Sequence, residues 1–242
     1  VIDKRYYYAA KKQLEPKGFD VICGSDFGFL AEAVVSNEAH VLGIDFGVTT
    51  LAQLNALKKA LPGIEFFDIG PELEYEASIK NPEEIKVIAK ACAIAEKSFL
   101  ETIPFFETGV TEADIAAELE YRFKKNGASD KSFDTIVAFG ANSAVPHHAT
   151  GKTKLKENVP VLMDFGCIYS GYCSDMTRTM FYGEPDEKFL QAYKAVYEAH
   201  FAALNNIKAG MTGKEADAIA RSVLEKYGYA KYFTHSLGHG IG

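Results

Sequence analysis

No run of apolar residues in this 242-residue sequence approaches the roughly 20 that a membrane-spanning helix needs, so no membrane partner is expected. Blocks of basic residues are missing too. With 26 Lys and Arg against 33 Asp and Glu, the net charge is -7, whereas binding a phosphate backbone needs a positive patch. A nucleic-acid partner is therefore not expected either. Cysteine is scarce: Cys23, Cys92, Cys167 and Cys173 have neither the C-x-x-C spacing of a zinc site nor the density of a disulfide framework, which fits a reducing cytoplasm. The sequence opens on Val1 with neither an initiator Met nor a signal-peptide pattern, and reads as part of something longer.

What is present is 48% hydrophobic, enough for one large domain or two ordinary ones. Helical and extended patterns alternate over residues 1–80: Arg5–Glu15 helical, Phe19–Cys23 extended, Asp26–Asn37 helical, His40–Asp45 extended, Thr50–Leu61 helical and Glu65–Ile69 extended. That rhythm predicts an α/β domain with a largely parallel sheet. Asn81-Pro82-Glu83-Glu84 then supplies a cap, a proline for the first helical position and acids for the first turn of a helix running to about Thr102. We set a domain boundary there, giving segments 1–80 and 81–242.

The second segment contains a degenerate repeat at a shift of 101 residues. Gly109-Val110-Thr111 matches Gly210-Met211-Thr212, and Gly127 matches Gly228. Each copy reads as a helix, a Gly-x-Thr start, a second helix and then an extended segment. The expectation is a duplicated α+β unit with pseudo-two-fold symmetry and a site in the cleft between its halves.

Three clusters carry chemistry. The first is the pair of extended runs from Val159 to Thr179, joined by a turn at Tyr169-Ser170-Gly171. If Tyr169 and Ser170 form the loop, Asp164 stands directly opposite Asp175 on the same face; a bulge at Gly171 would move that register by one and still leave the two carboxylates neighbours. Like charges facing across a ladder destabilise it, and a divalent cation would compensate. Taken alone, both aspartates could instead be strand-end or turn residues satisfied by backbone N–H groups. The second cluster is Thr234-His235-Ser236-Leu237-Gly238-His239-Gly240-Ile241-Gly242. Its alternating glycines argue against a helix and for an extended segment in close approach to a ligand. The third is the loop Phe139 to His148, with turn residues Gly140, Asn142, Ser143 and Pro146 and adjacent His147 and His148.

Together these motifs, G-x-N-S-A-x-P-H, then D-F-G followed by S-D-x-T-R-T, then H-S-L-G-H-G-I-G, resemble the metallopeptidase family of Xaa-Pro aminopeptidases, Xaa-Pro dipeptidases (prolidases) and methionine aminopeptidases. The resemblance implies a partial creatinase-like amino-terminal α/β domain followed by a partial pita-bread catalytic domain. It makes Asp164 a ligand of one metal, Asp175 a bridge between two, and His239 a ligand of the other. His147 and His235 match histidines that line the substrate pocket and assist proton transfer, while Thr177 and Arg178 fall inside a motif as supporting residues. The chemistry implied is two-metal amide hydrolysis with Mn²⁺, or with Co²⁺ or Zn²⁺ in its place. The substrates implied are small peptides with proline second, and the assembly a homodimer. Two further glutamate ligands of the family lie downstream of H-G-I-G, so this chain alone is expected to bind metal poorly and to be inactive. Rival readings are a methionine aminopeptidase-like enzyme, opposed by residues 1–80 and the Pro146-His147 loop, and a non-catalytic binding module, opposed by intact Asp164, Asp175 and His239.

Overall fold

A computed structural model describes residues 2–24, 30, 31, 34 and 39–242. The chain divides into two compact units, Val1–Ile79 and Lys80–Gly242. In the first, helix α1 (Lys4–Leu14) starts at Asp3, whose carboxylate accepts from the Arg5 N–H. Strands β1 (Val41–Ile44) and β2 (Glu65–Asp68) pair in parallel, Val41 beside Glu65. Parallel strands need a crossover, and helix α2 (Leu51–Ala60) provides it, opened by a reciprocal box between Thr50 and Gln53. Leu57 and Leu61 pack with Val34 against Leu42, Ile44 and Phe66. A further helix, α3 (Gly70–Ser78), was not anticipated. Gly70-Pro71 reads as a turn, yet proline also suits a first helical turn, where its missing N–H costs nothing. The extended segment expected at Phe19–Cys23 amounts to one bridge between Ile2 and Cys23. The helix expected at Asp26–Asn37 lies for the most part outside the described residues.

The second unit opens with α4 (Pro82–Thr102). Asn81 Oδ1 accepts from the N–H groups of Glu83 and Glu84, and Glu84 accepts from Asn81 N–H. Helix α5 (Glu112–Lys125) buries Ile115, Leu119 and Phe123, spaced four apart on one face. Strands β3 (Asp130–Lys131) and β4 (Ile136–Phe139) lead to β5 (Val159–Phe165), β6 (Cys167–Tyr169), β7 (Tyr172–Cys173) and β8 (Met176–Tyr182). They form two antiparallel sheets, ordered β4-β5-β8 and β3-β6-β7. Along β5, Val161, Met163 and Phe165 are buried, with Phe165 stacked on Phe99 of α4 at 5.4 Å. Alternation turns Leu162 and Asp164 to the opposite face. On the far side of β4, Val137 N–H donates to Thr150 Oγ1 and the Thr150 hydroxyl donates to Thr135 O, so a loop side chain occupies part of the strand's free edge.

The hairpin departs from the expected register. Ser170 (φ 50°) and Gly171 (φ 87°) both adopt left-handed backbone, the requirement of a two-residue hairpin loop of type I′, and Tyr169 pairs with Tyr172. The loop therefore lies one residue later than expected. Asp164 pairs with Thr177 rather than Asp175. Between β7 and β8 the ladder is interrupted at Ser174-Asp175. Cys167 N–H donates to Ser174 Oγ, Ser174 N–H donates to Cys167 O, and a Cβ on Gly166 would overlap the Ser174 carbonyl.

Helices α6 (Glu187–Asn206) and α7 (Gly213–Lys226) close the unit, packed through Ala195, Ala199 and Ala203 against Ala220 and Leu224. Both α5 and α7 have 14 residues and start at a threonine in a capping box, Thr111 with Asp114 and Thr212 with Glu215. Left-handed glycines flank each, Gly109 and Gly127 in one case and Gly210 and Gly228 in the other. The segments that follow differ. After α7 comes a short 3₁₀ turn, Ala230–Tyr232, and residues 233–242 form no strand, contrary to the extended segment expected there. A strand needs a partner strand, and among the described residues none pairs with this segment; some of its backbone groups bond to side chains of α7 instead, Phe233 O and His235 O to Arg221 and Leu237 N–H to Asp217.

Candidate metal centre

A cleft of about 880 Å³ in the second unit is lined by Asp164, Asp175, His147, His148 and His239, with Phe133 and Ile136 among its apolar walls. Asp164 faces it because β5 alternates and its other face fills the core. The Thr177 hydroxyl donates to Asp164 Oδ1 at 2.8 Å, a bond that follows from the observed register. Burial pushes the Asp164 carboxyl above its ordinary pKa and the Asp175 charge adds to this, while the Thr177 bond and the charges of His147 and His239 oppose it. Asp175, in the interruption between β7 and β8, stands diagonal to Asp164 on the hairpin instead of opposite. The ladder break frees it from pairing.

His239 Nε2 lies 3.3 Å from Asp175 Oδ2, and His239 Nδ1 lies 2.7 Å from Gly240 O. A carbonyl can only accept, so Nδ1 carries a proton. Nε2 is the ring nitrogen turned to the Asp175 carboxylate: protonated, it donates to Oδ2, and unprotonated, it offers a lone pair to a cation. Imidazole with carboxylate oxygens suits a divalent first-row metal. The donor set thus fits the metal implied by the motifs. It is only partly assembled: among the described residues, no group of three or more His, Cys, Asp or Glu side chains already stands at the spacing of a metal site.

The remaining histidines separate. His147 lines the cleft, whereas His235 is absent from its lining. The His235 ring packs on Phe233 at 4.8 Å, its Nδ1 contacts Ser236 O, and its carbonyl accepts from Arg221 Nη2. Arg221 also donates to Phe233 O and pairs with Asp217, which accepts from Leu237 N–H, so α7 holds the segment leading to His239. The glycines there are not packed: a Cβ on Gly238 or Gly240 would meet nothing within 4 Å. Arg178 Nη1 donates to Thr177 O.

Glu112 was missed by the sequence reading. It is fully buried, and its carboxylate gathers His148, Asn142 and two backbone N–H groups. The only local signal was an acid following the cap Thr111, which suits any helix start.

Residues 86–242 match metallopeptidase family M24. The chain is 36% identical over 244 residues to the uncharacterized peptidase YqhT of Bacillus subtilis, covering 100% of this chain and 69% of that protein. It is 39% identical over 208 residues to an Xaa-Pro dipeptidase of Pyrococcus furiosus, covering 86% of this chain and 60% of that one. The chain thus spans under two thirds of the latter's length. A solved structure, the Xaa-Pro dipeptidase from Bacillus anthracis, superimposes with a TM-score of 0.95 at 38% identity, covering 100% of this chain and 68% of that one.

Proposed function

Because the chain belongs to metallopeptidase family M24, we propose that the complete protein is a metal-dependent exopeptidase that cleaves between an amino-terminal residue and a following proline. The observation that carries this reading is the cleft in which two aspartates of one hairpin stand beside His239. In it Asp164, Asp175 and His239 would hold the divalent metal. When bound, such ions supply a Lewis acid for the scissile carbonyl and a water of lowered pKa. Asp164 is kept in orientation by Thr177, and the ladder break leaves Asp175 outside the strand pairing beside His239. His147 is assigned to orienting substrate and moving a proton at the reacting amide, supported by its position on the cleft. His235 has the same assignment from its motif alone. Phe133 and Ile136 give the cleft apolar wall against which a substrate side chain can pack.

Two carboxylates and one imidazole do not balance two divalent ions, so residues 1–242 alone are proposed to hold at most one ion weakly and to turn over nothing. Mn²⁺ is the proposed metal, with Co²⁺ or Zn²⁺ able to substitute. Four free cysteines agree with a cytoplasmic location, and no described helix is long and apolar enough to cross a membrane. A homodimer belongs to the same reading. The similarity to an Xaa-Pro dipeptidase runs through the first unit as well as the second, which favours the proline-directed branch over a methionine aminopeptidase. The test is an assay of the complete protein loaded with Mn²⁺ on Xaa-Pro dipeptides and on Met-Ala peptides. Turnover of the former alone is expected; equal turnover of both would overturn the assignment.

A further inference from the structure

Glu112 is the only charged side chain that is fully buried among the described residues. It is the first residue of α5, and no part of the Thr111–Asp114 box uses its carboxylate. One oxygen, Oε1, accepts from Phe139 N–H at 2.9 Å and Asn142 Nδ2 at 2.8 Å. The other, Oε2, lies 2.9 Å from His148 Nε2 and accepts from Gly151 N–H at 3.2 Å. These four donors come from the start, middle and end of one loop. Burial alone would raise the pKa of Glu112, but the bonds from Asn142, His148, Phe139 and Gly151 outweigh it and hold the carboxyl below its ordinary value. The group is thus an anion whose desolvation is compensated by a single loop.

That loop carries His147 beside His148. Both rings line the cleft, but His148, with 15% of its side chain exposed, also brings its Nε2 to Glu112. Fixing His148 fixes the backbone from which His147 projects. Thr150 of the same loop is held against β4, and Gly151 O and Thr153 O accept from the first N–H groups of α5, so the loop's return is tied to the same helix start.

We propose that Glu112 is a positioning residue: its carboxylate clamps the 139–151 loop onto α5 and thereby sets the His147 imidazole at the cleft. The catalytic consequence rests on the peptidase reading, whereas the clamp itself does not. A mismatch at the clamp should release the loop and leave Asp164 alone, since Asp164 is held by Thr177 on β8.

The test uses the complete protein and four readouts. Glu112→Gln keeps the shape but sets an amide N–H₂ against donors, His148→Leu removes one donor, and His148→Gln can restore an N–H at that place. In Glu112→Gln and His148→Leu, hydrogen exchange at Gly151 should rise at least about tenfold with β5 and β8 amides unchanged. The His147 imidazole resonances should shift, and Mn²⁺ affinity should stay within about twofold because Asp164 keeps its support. With Xaa-Pro dipeptides kcat should fall about tenfold or more as His147 leaves its place, and His148→Gln should recover most of that loss. Unchanged exchange at Gly151, unchanged His147 resonances, or a uniform loss of protection across both sheets would each overturn the proposal. If the unmutated protein cleaves no Xaa-Pro dipeptide, the peptidase reading fails, while exchange and the His147 resonances still decide the clamp.

Discussion

Thr177 donates its hydroxyl to Asp164 across the β5–β8 pair, which fixes one carboxylate oxygen and leaves the other to face the cleft. A bond of this kind to a charged acceptor is worth about 1.5–3 kcal/mol, and groups that orient metal ligands commonly change affinity by roughly 10–100-fold when removed. Thr177→Val keeps the β-branched shape that suits a strand and deletes only the donor. In the complete protein it should lower Mn²⁺ affinity by about tenfold or more, measured by calorimetric titration, with little change in thermal melting. An unchanged affinity would mean that Asp164 needs no such support. Glu112 and Asp164 differ instructively as single residues. Glu112 is fully buried with its four donors in place, whereas Asp164 is partly buried at the cleft with one donor from Thr177, and their pKa values move in opposite directions.

Among the elements, the β5–β8 hairpin depends on its interruption as much as on its pairing. Gly166 lies so close to the Ser174 carbonyl that any side chain must displace backbone, and the same stretch accepts Ser132 Oγ–H on Ser174 O and gives Gly166 O to Ser132 N–H. Gly166→Ala is therefore expected to cost about 3 kcal/mol, at the upper end for overpacking, and to disturb Asp175 next door. Urea unfolding would check it, and a loss under about 1 kcal/mol would contradict the fit. Much at this level was legible beforehand. Asn81-Pro82-Glu83-Glu84 announces α4, Thr111 and Thr212 mark two helix starts, and the two extended runs around Tyr169-Ser170-Gly171 announce the hairpin that carries Asp164 and Asp175. The hairpin register was not, because a non-glycine residue, Ser170, takes the first left-handed position of the turn. The Glu112 clamp was not legible either. Its partners lie 27 to 39 residues downstream, beyond the reach of any local pattern.

For the whole chain, α6 presents two unlike faces. Ala195, Ala199 and Ala203 allow close approach to α7, while Leu190, Tyr193, Tyr197, Phe201 and Leu204 are exposed along another stripe. Apolar patches of this size promote association, so residues 1–242 expressed alone should sediment as concentration-dependent aggregates. Tyr197→Glu with Leu204→Glu should reduce that association without lowering the melting temperature, and equal aggregation of both forms would point to another surface. The hairpin also has a consequence for the order in which the site forms. Its strands are joined by a two-residue turn, so pairing them is a local, microsecond-scale event. His239 lies 64 positions beyond Asp175 and reaches it only when a long chain segment closes. On a ribosome the carboxylate pair is therefore synthesised and paired before its imidazole has been made, and a nascent chain presents an acidic half-site to cellular cations before α7 has folded to deliver His239.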